Sequence, residues 1–93
     1  MDIQTVITTA KPILQKHNIK KAALFGSIVR GRATNDSDID ILIDAPDGFG
    51  YFDLAGLKVE LEKIFNREVD LVEYKAIRPE LREHILKYEH SFI

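Results

Sequence analysis

Two spacings of apolar residues alternate along this chain. Ile3, Val6, Ile7, Ala10, Ile13 and Leu14 recur at three- and four-residue intervals, which builds one buried stripe along a helix. Asp2 stands where an N-cap carboxylate takes the first free amides. Pro12 falls inside the stretch, so a kink or a late helix start is expected, because proline lacks an N–H and its ring crowds the preceding turn. His17-Asn18 reads as the exit turn. Lys21-Ala22-Ala23-Leu24-Phe25 is then a short apolar run stopped by Gly26, the form of a buried strand. Gly26 to Arg32 reads as a tight turn into a short helix.

The spacing next switches to a period of two. In Asp38-Ile39-Asp40-Ile41-Leu42-Ile43 the isoleucines share one parity and the aspartates the other, which predicts a strand with one buried face. Asp44 to Gly50 carries Pro46, Gly48 and Gly50 and reads as a loop. Leu54, Leu57, Leu61, Ile64 and Phe65 mark an amphipathic helix that Asn66 ends. Glu68-Val69-Asp70-Leu71-Val72 is a third strand. Pro79 suits the first position of a last helix lined by Leu81, Ile85 and Tyr88. The order is helix, strand, short helix, strand, helix, strand, helix. It predicts an α/β or α+β fold, a small mixed sheet flanked by helices.

Composition narrows the class. At 93 residues a single domain over residues 1–93 is expected, with one modest core. Apolar residues at 45% and charged residues at 30% are an ordinary globular balance. No apolar run reaches the roughly 18 residues that a membrane helix needs. The N-terminus lacks a basic segment followed by an apolar block, so no signal peptide is expected. There is no cysteine, which rules out disulfides and thiolate metal sites and fits a reducing cytoplasm.

The net charge of -2 hides an uneven distribution. No Lys or Arg lies between Arg32 and Lys58, an interval that holds Asp36, Asp38, Asp40, Asp44, Asp47 and Asp53. Lys16, Lys20, Lys21, Arg30 and Arg32 gather just before it. An acidic block beside a basic one does not coat a nucleic-acid backbone, which requires a positive face. It suits a site that holds cations and, through them, phosphates; it equally describes a solvated acidic loop.

Asp38 and Asp40 decide between these readings. Side chains two apart on a strand share a face, with backbones about 6.6 Å apart. At that separation two carboxylates repel by about 2.5 kcal/mol at an effective dielectric of 20. Oxygen donors with no His or Cys beside them point to a hard ion, magnesium first. Taken alone, an Asp-x-Asp pair reads first as a solvated acidic face. Asp70, on another short apolar strand, changes the balance if the sheet brings it alongside. Three carboxylates and two divalent ions suit a triphosphate, and two metals can stabilise both the attacking and the leaving oxygen of a phosphoryl displacement.

Gly26-Ser27 is the second element. Glycine after a strand lets the backbone approach a ligand, the following turn offers free amides to a phosphate, and the Ser27 hydroxyl and Arg30 can reach the same anion. On its own the segment reads equally as turn punctuation, with Arg30 in a surface salt bridge. Two rival motifs fail. Gly26-x-x-x-x-Gly31 has P-loop spacing, but Arg32 and Ala33 replace the required Lys and Ser/Thr. A calcium loop from Asp36 meets Ile41 where Gly is needed and Asp47 where Glu is needed.

Gly26-Ser27-Ile28-Val29-Arg30-Gly31, Ser37-Asp38-Ile39-Asp40-Ile41-Leu42 and Val69-Asp70-Leu71-Val72 together resemble the minimal nucleotidyltransferase family of the DNA polymerase β superfamily. The resemblance implies a polymerase-β-like fold in which Gly26 and Ser27 hold the triphosphate and Arg30 steadies the phosphates or the motif itself. It implies that Asp38 and Asp40 bind two magnesium ions, and that Asp70 binds one and helps activate an attacking hydroxyl. Larger members of the superfamily carry further domains. Short stand-alone members are typically antitoxins paired with a HEPN-domain ribonuclease toxin. The expectation is therefore transfer of AMP from ATP to a tyrosine of such a partner. A non-catalytic antitoxin that acts by occlusion and a transferase acting on a small molecule are the alternatives.

The remaining candidates read more plainly. His17, His84 and His90 are scattered away from the acidic motif and are expected in surface or structural roles. Asp36 and Asp44 read as turn and strand-end residues, and Ser37 as ordering the turn before Asp38. Phe49, Tyr51 and Phe52 are expected first to anchor their loop to the core and next to touch a partner.

Overall fold

A computed structural model of the chain describes residues 2–26, 38–80 and 90–91. Helix α1 spans Ile3–Lys16, strand β1 Lys21–Phe25, strand β2 Ile39–Asp44, helix α2 Tyr51–Phe65 and strand β3 Val69–Glu73. A 3-10 turn, Tyr74–Ala76, and a two-residue strand β4, His90–Ser91, complete the described elements.

Helix α1 starts where its cap directs it. The Asp2 carboxylate accepts the Thr5 N–H at 2.8 Å, which holds its own pKa below the ordinary value. Pro12 lies within the helix, yet it neither delays the start at Ile3 nor ends the helix before Lys16. Val6, Ala10 and Leu14 form the buried stripe. Asn18 takes the left-handed conformation at φ 64°, turning the chain so that Ile19 is buried.

The four strands form one mixed sheet in the order β3-β2-β1-β4. β1 pairs antiparallel with β2 and with β4, and β2 pairs parallel with β3. A parallel pair cannot be joined by a tight turn, and α2 supplies the crossover. Asp53 near its start accepts the Gly50 N–H at 2.8 Å, and Asn66, in the left-handed conformation at φ 54°, ends it.

Strand parity divides the apolar residues between two faces. Ala22, Leu24, Ile39, Ile41, Ile43 and Val69 pack with Val6, Ala10, Leu14, Leu57, Leu61 and Phe65 of the helices. Ala23, Leu42 and Ile77 form a smaller cluster, joined by Phe25, Val72 and Tyr74. Leu42 is thus buried on the parity of the aspartates, so the interior of β2 is covered on both faces, whereas the alternation predicts one. Among the described residues no buried side chain is polar, so the core is purely apolar.

Polar contacts tie the helices together at the rim. Lys16 Nζ lies 2.6 Å and His17 Nε2 3.3 Å from the Glu60 carboxylate, joining α1 to α2. His17 therefore has the structural role expected of it. Glu62 accepts the Val69 N–H at 3.0 Å and fixes the entry into β3.

Several boundaries differ from the sequence expectation. α2 begins at Tyr51, before its first buried leucine, because the Asp53–Gly50 contact caps it there. The expected turn and short helix after Gly26 lie outside the described residues from Ser27 onward. The last helix begins at Pro79 and Glu80, as expected; Leu81, Ile85 and Tyr88 lie outside the described residues. Among the described residues no helix is long and apolar enough to cross a membrane.

Candidate active site

The sheet brings together four of the six candidate residues. Parallel pairing of β2 with β3 sets Ile39 opposite Val69, Asp40 opposite Asp70 and Ile41 opposite Leu71. The isoleucines fix this register by burial, since a one-residue slip would turn them out of the core. Asp40 and Asp70 consequently project from adjacent strands on the face away from the main core. Asp38 immediately precedes β2 and shares the parity of Asp40.

Antiparallel pairing of β1 with β2 sets Phe25 opposite Asp40, so the chain reaches Gly26 beside the same carboxylate. Gly26 has φ +78°. A Cβ built on it would collide with the Asp40 carboxylate, lying 3.0 Å from its Cγ and closer still to Oδ2. Only glycine combines that backbone conformation with so close an approach. Ser27 and Arg30, the other two candidates, lie outside the described residues, as do Asp36 and Ser37.

The charges are coupled. Asp40 is half-buried, and its pKa is raised from 3.8 to about 6, first by burial and then by repulsion from Asp70 and Asp38. Asp38 and Asp70 are exposed. Among the described residues no three carboxylate or imidazole groups already enclose an ion-sized space. The strand frame gathers the three aspartates on one face without closing them into a cage. Their donor chemistry, three carboxylates whose mutual repulsion a cation would relieve, fits a hard divalent ion.

Two clefts lie near the sheet. One, of about 240 Å³, is lined by Tyr51, Leu54, Ala55, Lys58, Asp70 and Leu71, between α2 and the edge strand β3. The other, of about 350 Å³, is lined by Asn18, Lys20, Asp44, Ala45, Pro46 and Asp47 at the end of β2 remote from Asp40. The larger cleft is thus away from the carboxylates. The smaller one touches Asp70, and sequence reading missed it. Its helical wall was legible as the one-face spacing of positions 51, 54, 55 and 58. That it reaches the β3 edge at Asp70 and Leu71 depends on the packing of α2 against β3.

Phe49 packs against the main core, as expected, but Tyr51 and Phe52 do not anchor the loop. They form the first turn of α2 and are 79% and 87% exposed, because Leu54, Leu57 and Leu61 already occupy its inward face.

Comparison with known proteins identifies the family and the fold. Residues 8–93 match the family described as polymerase beta, nucleotidyltransferase. A Methanocaldococcus jannaschii protein classed as a protein adenylyltransferase is 42% identical over 86 residues, covering 92% of both chains. A solved minimal nucleotidyltransferase superposes with a TM-score of 0.81 at 33% identity, over 96% of this chain and 94% of that one. A complex of a tri-AMPylated Shewanella oneidensis HEPN toxin with its MNT antitoxin contains a chain that superposes at 0.76. That match covers 97% of this chain and 71% of the other, and at 21% identity it speaks to the fold alone. The chain belongs to the polymerase beta nucleotidyltransferase family.

Proposed function

We propose that this chain is a magnesium-dependent protein adenylyltransferase. It moves AMP from ATP onto a tyrosine hydroxyl of a HEPN-domain toxin, which it thereby silences in the cytoplasm. The observation that carries the reading is the direct juxtaposition of Asp70 with Asp40 across β2 and β3, with Gly26 packed against Asp40 from the other side. A purely occluding antitoxin has no need of that constellation. The adenylyltransferase names of the M. jannaschii relative and of a Thermococcus cleftensis relative support the choice of nucleotide and of a protein acceptor, and the shared fold with the antitoxin of the S. oneidensis complex suggests the kind of partner.

In this reading the Gly26 turn, with Ser27 and Arg30, binds the triphosphate through backbone amides, a hydroxyl and a guanidinium. Asp38, Asp40 and Asp70 would hold two magnesium ions, which when bound neutralise charge on the phosphates and on the attacking oxygen. The acceptor oxygen forms a bond to the α-phosphorus as the bond from that phosphorus to the β-bridging oxygen breaks. Pyrophosphate leaves, and the hydroxyl proton passes to Asp70 or to solvent. Close positioning of the reactants supplies much of the rate.

The test is incubation of the chain and its HEPN partner with ATP and magnesium, followed by intact mass measurement of the partner. One or more added adenylyl groups are expected, and none with Asp38→Ala or Asp40→Ala. An unmodified partner that is nonetheless neutralised would assign the chain to occlusion instead.

A further inference from the structure

We infer that the outward face of α2 pairs antiparallel with the same face of a second copy of this chain, Val59 of each copy seated over Gly56 of the other and Lys63 over Phe52. The inference goes beyond the transferase reading above and does not depend on it.

Phe52, Gly56, Val59 and Lys63 stand at i, i+4, i+7 and i+11 of α2, which at 3.6 residues per turn is one stripe about 60° wide. All four are exposed, while Leu57, Leu61 and Phe65 on the opposite side hold the helix to the core. Nothing within the chain accounts for the stripe. Glycine is, after proline, the least favourable residue in a helix interior. Gly56 is mid-helix without a positive φ, and a Cβ built on it would meet no atom within 4 Å. Phe52 beside it is largely exposed and meets only Tyr51 edge to face, with ring centroids 6.0 Å apart. A side chain missing between a ring and a branched aliphatic leaves a socket that a second helix can fill.

The stripe carries both halves of its own complement. In a second α2 turned antiparallel, position 59 lies over position 56 and position 63 over position 52, because both pairs centre on the same point between Leu57 and Lys58. Each contact then occurs twice, as an isologous two-fold interface requires. Val59 fills the space that Gly56 leaves, which lets the helix axes approach to about 8 Å. The Lys63 ammonium lies against the negative face of the Phe52 ring. Lys63 makes no ion pair among the described residues, whereas the flanking charges are satisfied within the chain, Glu60 by Lys16 and His17, and Lys58 by Glu62. At roughly 150–250 Å² per ring, Tyr51 and Phe52 of both copies bring the buried area to the order of 600–1,000 Å², the low end for a specific interface. The dimer is therefore weak and concentration-dependent. Because α2 covers the core face of the sheet, the pairing leaves Asp40 and Asp70 of both copies open on the outer sides.

Sedimentation equilibrium of the full chain over a concentration series tests the pairing. The apparent mass should rise from 10.6 kDa toward twice that value, with a Kd on the order of 10–100 μM. Gly56→Gln puts a better helix former into open space, so it should raise the melting temperature of the monomer while weakening the dimer tenfold or more. Lys63→Glu should weaken it by a smaller factor. The chain has no cysteine of its own, so an oxidised mixture of Gly56→Cys and Val59→Cys chains reads the register. The mixed disulfide should exceed its statistical share, and a statistical ratio would overturn the register. A chain that stays monomeric throughout, or a dimer that Gly56→Gln leaves intact, would overturn the pairing. If the chain alone is monomeric but Gly56→Gln weakens its complex with the HEPN-domain toxin, the face belongs to that protein and the second copy is ruled out.

Discussion

Asp40 on β2 and Asp70 on β3 occupy directly paired positions of a parallel ladder, and the repulsion between them helps hold the Asp40 carboxyl at about 6. Neighbouring strands run about 4.8 Å apart, so two like charges are pinned within one hydrogen-bonded spacing by isoleucines buried on the opposite face. Burial of the apolar residues sets a geometry that the charges by themselves would oppose.

That opposition has a pH signature in metal-free solution. Between pH 3.8 and about 6 the folded chain holds a proton on Asp40 that the unfolded chain has released. This group's contribution to stability therefore falls as pH rises through that window. With the carboxyl only half-buried, solvent screening leaves an effect of about 1 kcal/mol. Asp2 and Glu60, whose pKa values are lowered, act in the opposite direction, so the contribution is isolated by difference. Denaturant unfolding at both ends of the window, in the presence of a chelator, should show the unsubstituted chain losing more stability toward neutral pH than Asp40→Asn does.

Asp70→Asn separates chemistry from folding. Asp70 is exposed and repels Asp40, so the substitution should leave the melting temperature unchanged or slightly raised. Transfer of AMP should fall by about 100-fold or more if the carboxylate takes part in activating the acceptor. The Asp40 carboxyl should titrate closer to its ordinary value once its neighbour is neutral, which carboxyl-carbon NMR would read. An Asp40 titration that does not move would show that the two side chains do not feel one another.

Gly26→Ala should damage both stability and activity. The left-handed backbone costs a residue with a Cβ about 1–2 kcal/mol, before any displacement of the Asp40 carboxylate that the new methyl would meet. Thermal unfolding should report the first effect and the AMP-transfer assay the second. An active, equally stable variant would contradict the close packing of Gly26 on Asp40.

Leu57→Ala tests what holds the site's frame. Leu57 is fully buried among residues of both helices and the sheet, and its truncation should cost about 2–5 kcal/mol. Val59→Ala, on the same helix but 50% exposed, should stay within about 0.5 kcal/mol. Denaturant midpoints for the pair provide the comparison, and equal losses would place α2 wrongly against the sheet.

Much of this was written in local pattern. The three- and four-residue spacing of α1, the apolar run of β1 and the alternation in β2 each correspond to an observed element, because burial on one side of a regular backbone leaves a period in the sequence. Two structural features left no such trace. β4 is two residues long, too short for any period, and exists through its pairing with β1. Leu42 breaks the alternation of β2 because a cluster with Ala23 and Ile77 covers that face, which depends on residues distant in the chain.

Side-chain types and spacing alone determined that Asp38 and Asp40 share a face and that a glycine closes β1, since both follow from the geometry of a single strand. Tertiary structure decided that Asp70 stands beside Asp40, that Gly26 presses on that carboxylate, and that α2 leaves an aromatic pair and a cleft beside β3. Those relations join residues that the chain keeps far apart. Strand order and register bring them together, and both are set by apolar burial summed over the whole core rather than by any local signal.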